Sequence, residues 1–435
     1  MDVLIPIETT AREALYKIYL SKLIALQGVN TYLGTKNHIS YLISLFNNYI
    51  YVDKGYHQGT SELIYNKIKS KNGIIVNLDE EGAVDFPESS ILRSRYSKKL
   101  FDISDKVFFW GSNQFKLLKN NIKDPDKISI TGHPRFELLK EEYHKIYKKE
   151  VDKINSEYGK YILINTNMGF GNNLRGDDFV RNNYSSRFKN IDEIISFDKT
   201  KCNAFISLVK KISENYGGNI IFRPHPEENS IIYKTAFKNI DNVQVIYKGS
   251  AVEWILGCEC MIHPDCSTAI ESVIMKKEAI SFLPKPFNSK IVTELPIRVS
   301  RIFNDEDSLI EYFKRESFYN LKPNNKNINQ VLDKYFSISK KSSQIIVDEI
   351  IKLFPKKNKF INKIYLKNWL DLTILSFKIK LGRSESHKLV RQKIKGIETN
   401  NFRRLNNSIN SINPNFDKVK MKKVSDGLFK FFLVE

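Results

Sequence analysis

Short apolar runs recur through the first 130 residues, separated by stretches of helix length. Val3-Leu4-Ile5-Pro6-Ile7, Asn30-Thr31-Tyr32-Leu33, residues 49–52, Ile74-Ile75-Val76-Asn77-Leu78, residues 106–110 and Ile128-Ser129-Ile130 read as buried strands. Helices are expected over 10–27, 39–46 and 61–70, and the capping pattern Thr9-Thr10-Ala11-Arg12-Glu13 supports the first start. Strands alternating with helices imply βαβ units and a parallel sheet.

After Thr131-Gly132-His133-Pro134 the spacing predicts a long charged helical stretch to about residue 158, and then the alternation resumes. Strands are expected at 161–165, 219–222, 243–247, 260–263 and 279–283, with helices over 204–215, 231–237, 252–256 and 267–275. Residues 172–197 lack a clear period and are expected to form a long loop. The pattern predicts two Rossmann-like domains, 1–133 and 134–355, followed by a basic helical tail, 356–435.

Composition refines this picture. The chain has 435 residues and is 41% apolar, enough for two full cores. No apolar run approaches the roughly 18 residues of a spanning helix. The start, Met1-Asp2-Val3-Leu4-Ile5-Pro6, has no basic n-region, so a cytoplasmic protein is expected. The net charge of +20 is concentrated at one end: residues 356–435 hold 19 Lys/Arg against 6 Asp/Glu, a net of +13, which leaves +7 for the rest. Such a tail suits a polyanion, and 360–381 mixes Ile361, Ile364, Leu366, Trp369, Leu370, Ile374 and Phe377 with Lys363, Lys367, Lys378 and Lys380, as a helix lying on an anionic membrane surface does. Four cysteines are too few for a disulfide framework, and Cys258-Glu259-Cys260 with His263 and Cys266 lacks paired zinc spacing, so no metal is expected.

Three strand ends carry chemistry. Asp79-Glu80-Glu81-Gly82 follows a buried strand, which puts carboxylates where ligands collect in open α/β sheets; they suit a base for a sugar hydroxyl, against the alternative of a solvated loop. Gly82 would allow a close turn after them. In Phe222-Arg223-Pro224-His225-Pro226 the prolines fix the backbone, Arg223 offers a fork for phosphate oxygens, and His225 suits a departing phosphate; Pro226 completes the motif. His133-Pro134 reads only as a boundary turn. Ser267-Thr268 opens a helix that would attract phosphate, with Glu271 one turn on, facing either a ribose or solvent. The loop Asn165-Thr166-Asn167-Met168-Gly169 would bring Asn167 and Gly169 near a donor, although the full glycine motif is absent.

The acid-acid-Gly step, the later His-Pro and the hydroxyl pair resemble the motif set of bacterial sialyltransferases and Kdo transferases, which are GT-B enzymes. Leu4-Ile5-Pro6-Ile7-Glu8-Thr9, the acidic step, Thr131-Gly132-His133-Pro134-Arg135-Phe136 and Ile164-Asn165-Thr166-Asn167 resemble a surface carbohydrate biosynthesis family. The resemblance covers roughly residues 1–350. It implies a GT-B fold, two Rossmann-like domains facing across a cleft, and transfer of a 2-keto acid sugar (Kdo or a sialic-acid-like nonulosonate) from a CMP-activated donor to a lipid-linked or surface glycan, without cofactor or metal. By the same resemblance Glu80 is the base with Glu81 beside it, His225 contacts the CMP phosphate, and Ser267 and Thr268 hold that phosphate. Asp79 adds a third acid and Thr268 replaces a serine, so the choice among residues 79–81 and the stereochemistry stay open. Rival readings are a CDP-glycerol-type polymer phosphotransferase, a sugar-nucleotide epimerase and a nucleic-acid-binding protein; against the last, no recognised nucleic-acid motif occurs.

Overall fold

The computed structural model describes residues 1–83, 89–186, 188–286, 288–315, 327–354, 362–382 and 399–434. Strands β1 (Asp2–Ile7), β2 (Thr31–Thr35), β3 (Tyr49–Asp53), β4 (Ile74–Asn77), β5 (Lys106–Phe109) and β6 (Ile128–Ile130) lie parallel in the order β2-β1-β3-β4-β5-β6. Val3, Leu4, Ile5 and Ile7 are fully buried, as expected for a strand covered on both faces, which is why these strands are unbroken apolar runs.

A second sheet contains β7 (Tyr161–Asn165), β8 (Asn219–Arg223), β9 (Val243–Val245), β10 (Cys260–His263), β11 (Glu278–Phe282) and β12 (Arg301–Phe303), all parallel, in the order β12-β11-β10-β7-β8-β9. Both sheets are doubly wound. The strand order reverses between β1 and β3 in the first and between β7 and β10 in the second, the places where open α/β sheets bind ligands.

The tail departs from a purely helical extension. It supplies the helices Leu366–Leu381 and Thr399–Asn410, and then a hairpin of β13 (Val419–Ser425) and β14 (Leu428–Leu433). β14 pairs antiparallel with β2, so the hairpin completes the first sheet. Phe402 stacks on Phe429 with ring centroids 4.4 Å apart and fixes the helix Thr399–Asn410 to that hairpin.

The compact units follow these sheets. The first takes Met1–Ala83, Ile91–Ile146 and the chain from Leu332 onward; Tyr147–Val331 belongs to the second. The expected break at 133/134 therefore falls at 146/147, because Phe136 packs on Trp110 and Phe336 within the first unit. The expected loop 172–197 contains the helix Asp177–Tyr184 and the start of the 25-residue helix Ile191–Asn215. Buried Asp198 and Lys201 interrupt the apolar period of that longer helix and hid it from a pattern reading.

Candidate active site

In the first unit, the helix Thr10–Leu26 begins directly after β1 and turns its first two turns toward the end of β4. Thr9 makes no side-chain cap; Glu13 instead reaches back to the backbone N–H groups of Glu8 and Thr9, both at 3.1 Å. Lys17 lies one turn on and donates to Glu13 Oε2 at 2.7 Å and to the Pro6 carbonyl at 2.8 Å. Its Nζ also sits 3.0 Å from Glu80 Oε1, which accepts from the Tyr16 hydroxyl as well. Glu80 is thus buried in a basic shell. Burial alone would raise its pKa, but Lys17, Arg12, Arg135 and Lys54 outweigh that and hold it below the usual carboxylate range.

The three acids have separate fates. Asp79 is clasped by Arg95, with Nε 3.1 Å from each oxygen and Nη2 2.5 Å from Oδ1, and its carbonyl accepts from the Trp110 indole at 2.9 Å. Burial pushes its pKa up to about 6 against the pull of Arg95. Asp79 is therefore an anchor, a correction to its place among the candidate bases. Glu81 is half exposed, between Arg12 at 3.7 Å and Arg95 at 3.4 Å. Gly82 is needed for a reason other than a turn: a Cβ there would lie 2.5 Å from the Trp110 ring.

His133, read from sequence as a turn, belongs to this cluster. It is fully buried, with ring centroids 4.9 Å from both Tyr16 and Trp110. Gly132, at φ +81°, turns the chain so that His133 caps the helix Pro134–Glu137, its Nδ1 accepting from the Arg135 N–H at 3.1 Å. Burial, with Arg135, Lys17 and Arg12, keeps its pKa well below that of an ordinary imidazole. The ring is neutral and its proton is assigned to Nε2, which has no partner; Glu80 Oε2 is likewise buried without one. The available signal was positional: Thr131-Gly132-His133-Pro134 follows β6 as the acids follow β4.

In the second unit, the loops after β7, β8 and β10 leave neighbouring strands at one edge. Buried Glu228 accepts from Thr166 Oγ1 and the Met168 N–H, both at 2.8 Å, from the His225 N–H at 3.2 Å and from the Tyr233 hydroxyl at 2.5 Å, which locks the first two loops together. Lys201, buried between Asp198 at 2.8 Å and Asp265 at 3.2 Å, ties the third loop to the helix Ile191–Asn215. None of these anchors was legible in the sequence.

On this frame His225 and Pro226 are exposed, and Gly169 lies beside the His225 ring, 3.6 Å from Nδ1 for a Cβ built there. Ser267 is exposed, Thr268 is half-buried and accepts from Asn165 at 3.3 Å, and Asn167 is half-buried with its Oδ1 lacking a partner. Ser267 makes no side-chain cap to the seven-residue helix Thr268–Ile274. Glu271 is half-buried and close enough to Tyr147 to help raise that phenol's pKa, after burial itself. Arg223 departs from the expected phosphate fork. Its Nη1 donates to the Lys248 carbonyl at 2.7 Å and its guanidinium lies 5.3 Å from the Trp254 ring centre, so it braces residues 248–249. Among the described residues no group of three or more His, Cys, Asp or Glu is placed to hold a metal ion.

No family model matches the sequence, and no curated protein matches it. Solved structures do resemble the fold. UDP-GlcNAc 2-epimerase from Methanocaldococcus jannaschii matches at 14% identity and a TM-score of 0.53, over 80% of this chain and 98% of that one. The same enzyme in complex with UDP-GlcNAc and UDP matches at 14% identity and a TM-score of 0.50, over 81% and 100%. The wall teichoic acid polymerase TagF, soaked with CDPG, matches at 12% identity and a TM-score of 0.50, over 81% and 88%. At such identities the likeness is one of fold, and it establishes this chain as an α/β protein of the GT-B type, built of two Rossmann-like units.

Proposed function

We propose that this chain is a transferase of surface carbohydrate biosynthesis that moves an activated group from a cytidine nucleotide to an acceptor hydroxyl. The observation that carries the reading is the orphaned pair at the edge of the first sheet. Both residues adjoin Tyr16, and Glu80 Oε2 can only accept while His133 Nε2–H can only donate, the two complementary needs of a hydroxyl. An unsatisfied buried polar group costs about 1–3 kcal/mol, which a hydroxyl reaching either atom would recover. Glu80 is a weak base, and this suits a late proton transfer: the hydroxyl oxygen becomes strongly acidic only as it bonds to the donor, and Glu80 then takes its proton. In the second unit the leaving phosphate is assigned to exposed His225 and Ser267, with the Thr268 hydroxyl, now held by Asn165 and Cys266, beside them.

The donor best matching the acidic step is a CMP-activated 2-keto acid sugar. A CDP-linked donor is the second reading, favoured by the fold likeness to TagF. Thermal shifts with CMP, CDP, UDP and GDP separate the readings, since a ligand bound only by the folded chain raises its melting point. Stabilisation by CMP or CDP supports transfer; stabilisation by UDP alone favours an epimerase and overturns it. Glu80→Gln should fold, because Lys17 keeps Glu13, and should lower transfer roughly 10²–10⁴-fold with an unchanged nucleotide shift. Wild-type turnover in Glu80→Gln would refute the role of Glu80.

A further inference from the structure

The helix Leu366–Leu381 has two apolar faces. Leu372 and Ser376 are buried against the first unit; Ser376 bonds to His38 at 2.9 Å and to the Asp426 carbonyl at 2.8 Å. The opposite face is open. Leu366 is 73% exposed, Leu370 47%, Ile374 52%, Phe377 60% and Leu381 48%, and at about 100° per residue they fall within an arc of about 80° centred opposite Leu372. An apolar stripe of this length left in water is a docking surface more often than an accident.

Charge identifies the partner. Lys367 and Lys378 flank one side of the stripe and Trp369 and Lys380 the other, with Lys363 just before the helix. Asp371, the sole acid in residues 362–382, is turned inward, where its carboxylate accepts from the Tyr41 hydroxyl at 2.8 Å. On β13, which packs beside this helix, Lys420 and Lys422 are exposed. The surface is therefore an apolar strip with lysines on both sides, an indole and the Thr373 hydroxyl at one edge, and the nearby Asp426 paired with Lys423. A protein partner of matching shape would need a groove lined with acids, whereas a bilayer offers both features at once: acyl chains for the stripe and phosphates for the lysines. Among the described residues no helix is long and apolar enough to cross a membrane.

We infer that the outward face of Leu366–Leu381 docks the protein on a bilayer containing anionic phospholipid. Asp371, Leu372 and Ser376 fix the helix to the first unit, so docking presents that whole unit to the membrane rather than tethering it by a loose tail. The inference is independent of the donor or acceptor chosen above. Each lysine near an anionic surface is worth about a fivefold gain in partitioning, and the gain is screened by salt.

The test uses the full chain, since truncation would also remove β13 and β14 from the first sheet. The parent, an L370Q/I374Q/F377Q variant and a K367E/K378E variant are sedimented with phosphatidylcholine vesicles with and without phosphatidylglycerol. All three changed apolar positions are exposed, so the fold is expected to persist, as circular dichroism and unaltered nucleotide-induced thermal shifts would show. The parent should bind the phosphatidylglycerol vesicles, with a blue shift of Trp369 emission. The apolar variant should bind at least tenfold less, and the charge variant should lose its preference for the anionic vesicles. Failure of the parent to bind at low salt, equal binding by parent and apolar variant, or a parent dimer that the apolar variant converts to monomer without vesicle binding would each overturn the inference.

Discussion

Acid should weaken this fold through its buried imidazoles, and His263 gives the cleanest measurement. It is fully buried at the end of β10, with Nε2 2.9 Å from Ser300 Oγ and Nδ1 accepting from the Cys266 N–H. Burial lowers its pKa to about 4, and His38 is lowered to about 4 for the same reason. Between that value and the ordinary value near 6.5 the unfolded chain binds the proton and the folded chain does not, so stability falls as pH drops through this window. At pH 5 each such group has cost about 2 kcal/mol relative to pH 7.5. Asp79, Asp198 and Glu228, whose pKa values burial raises, act in the opposite sense, so the informative quantity is a difference between chains. Urea unfolding followed by the emission of buried Trp254, at intervals from pH 7.5 to 5, should show the stability gap between the parent and His263→Gln shrinking by about 2 kcal/mol as the pH falls. The intercept of His263→Gln reports its lost hydrogen bonds; only the slope tests the titration. Parallel curves for the two chains would refute the reasoning.

Other changes probe the frame around the site. Arg95→Met should destabilise by about 3–5 kcal/mol in urea unfolding at pH 7.5, because Asp79 is left buried without its cation. The loss should shrink as the pH falls toward 6 and level off below it, because without Arg95 the buried Asp79 takes up its proton at a higher pH than in the parent. Gly82→Ala should cost about 1–3 kcal/mol and alter the near-ultraviolet dichroism of Trp110, since the new Cβ meets the indole at 2.5 Å. Arg223→Met should lower the melting point yet leave nucleotide affinity, measured by calorimetry, less affected than His225→Ala does, because Arg223 is already committed to the Lys248 and Gly249 carbonyls.

The sequence by itself determined the two doubly wound sheets and the strand ends that carry chemistry. Each central strand is buried on both faces, and a run such as Ile74-Ile75-Val76 states that locally, without reference to its neighbours. The acids after β4, the histidine after β8 and the hydroxyls after β10 were found for the same reason, as polar residues placed at the stop of an apolar run. What each of those groups does was decided only in three dimensions. Asp79 and Glu80 are adjacent in sequence, yet one meets Arg95 and the other meets Tyr16 and Lys17 from a helix more than sixty residues earlier. Arg223 is a brace because residues 248–249 supply carbonyls to it, and His133 joins the acidic cluster because β6 stops beside β5 in the same sheet. The hairpin β13–β14 completes a sheet begun some 400 residues earlier. The anchors Lys201 and Glu228 are buried, and each is held by partners brought from elsewhere in the chain, Asp265 for the first and Thr166 and Met168 for the second. Local periodicity reports which face of an element is apolar. Which charge meets which, and which polar atom is left without a partner, depends on contacts between residues far apart in sequence, and that information is present only in the folded arrangement.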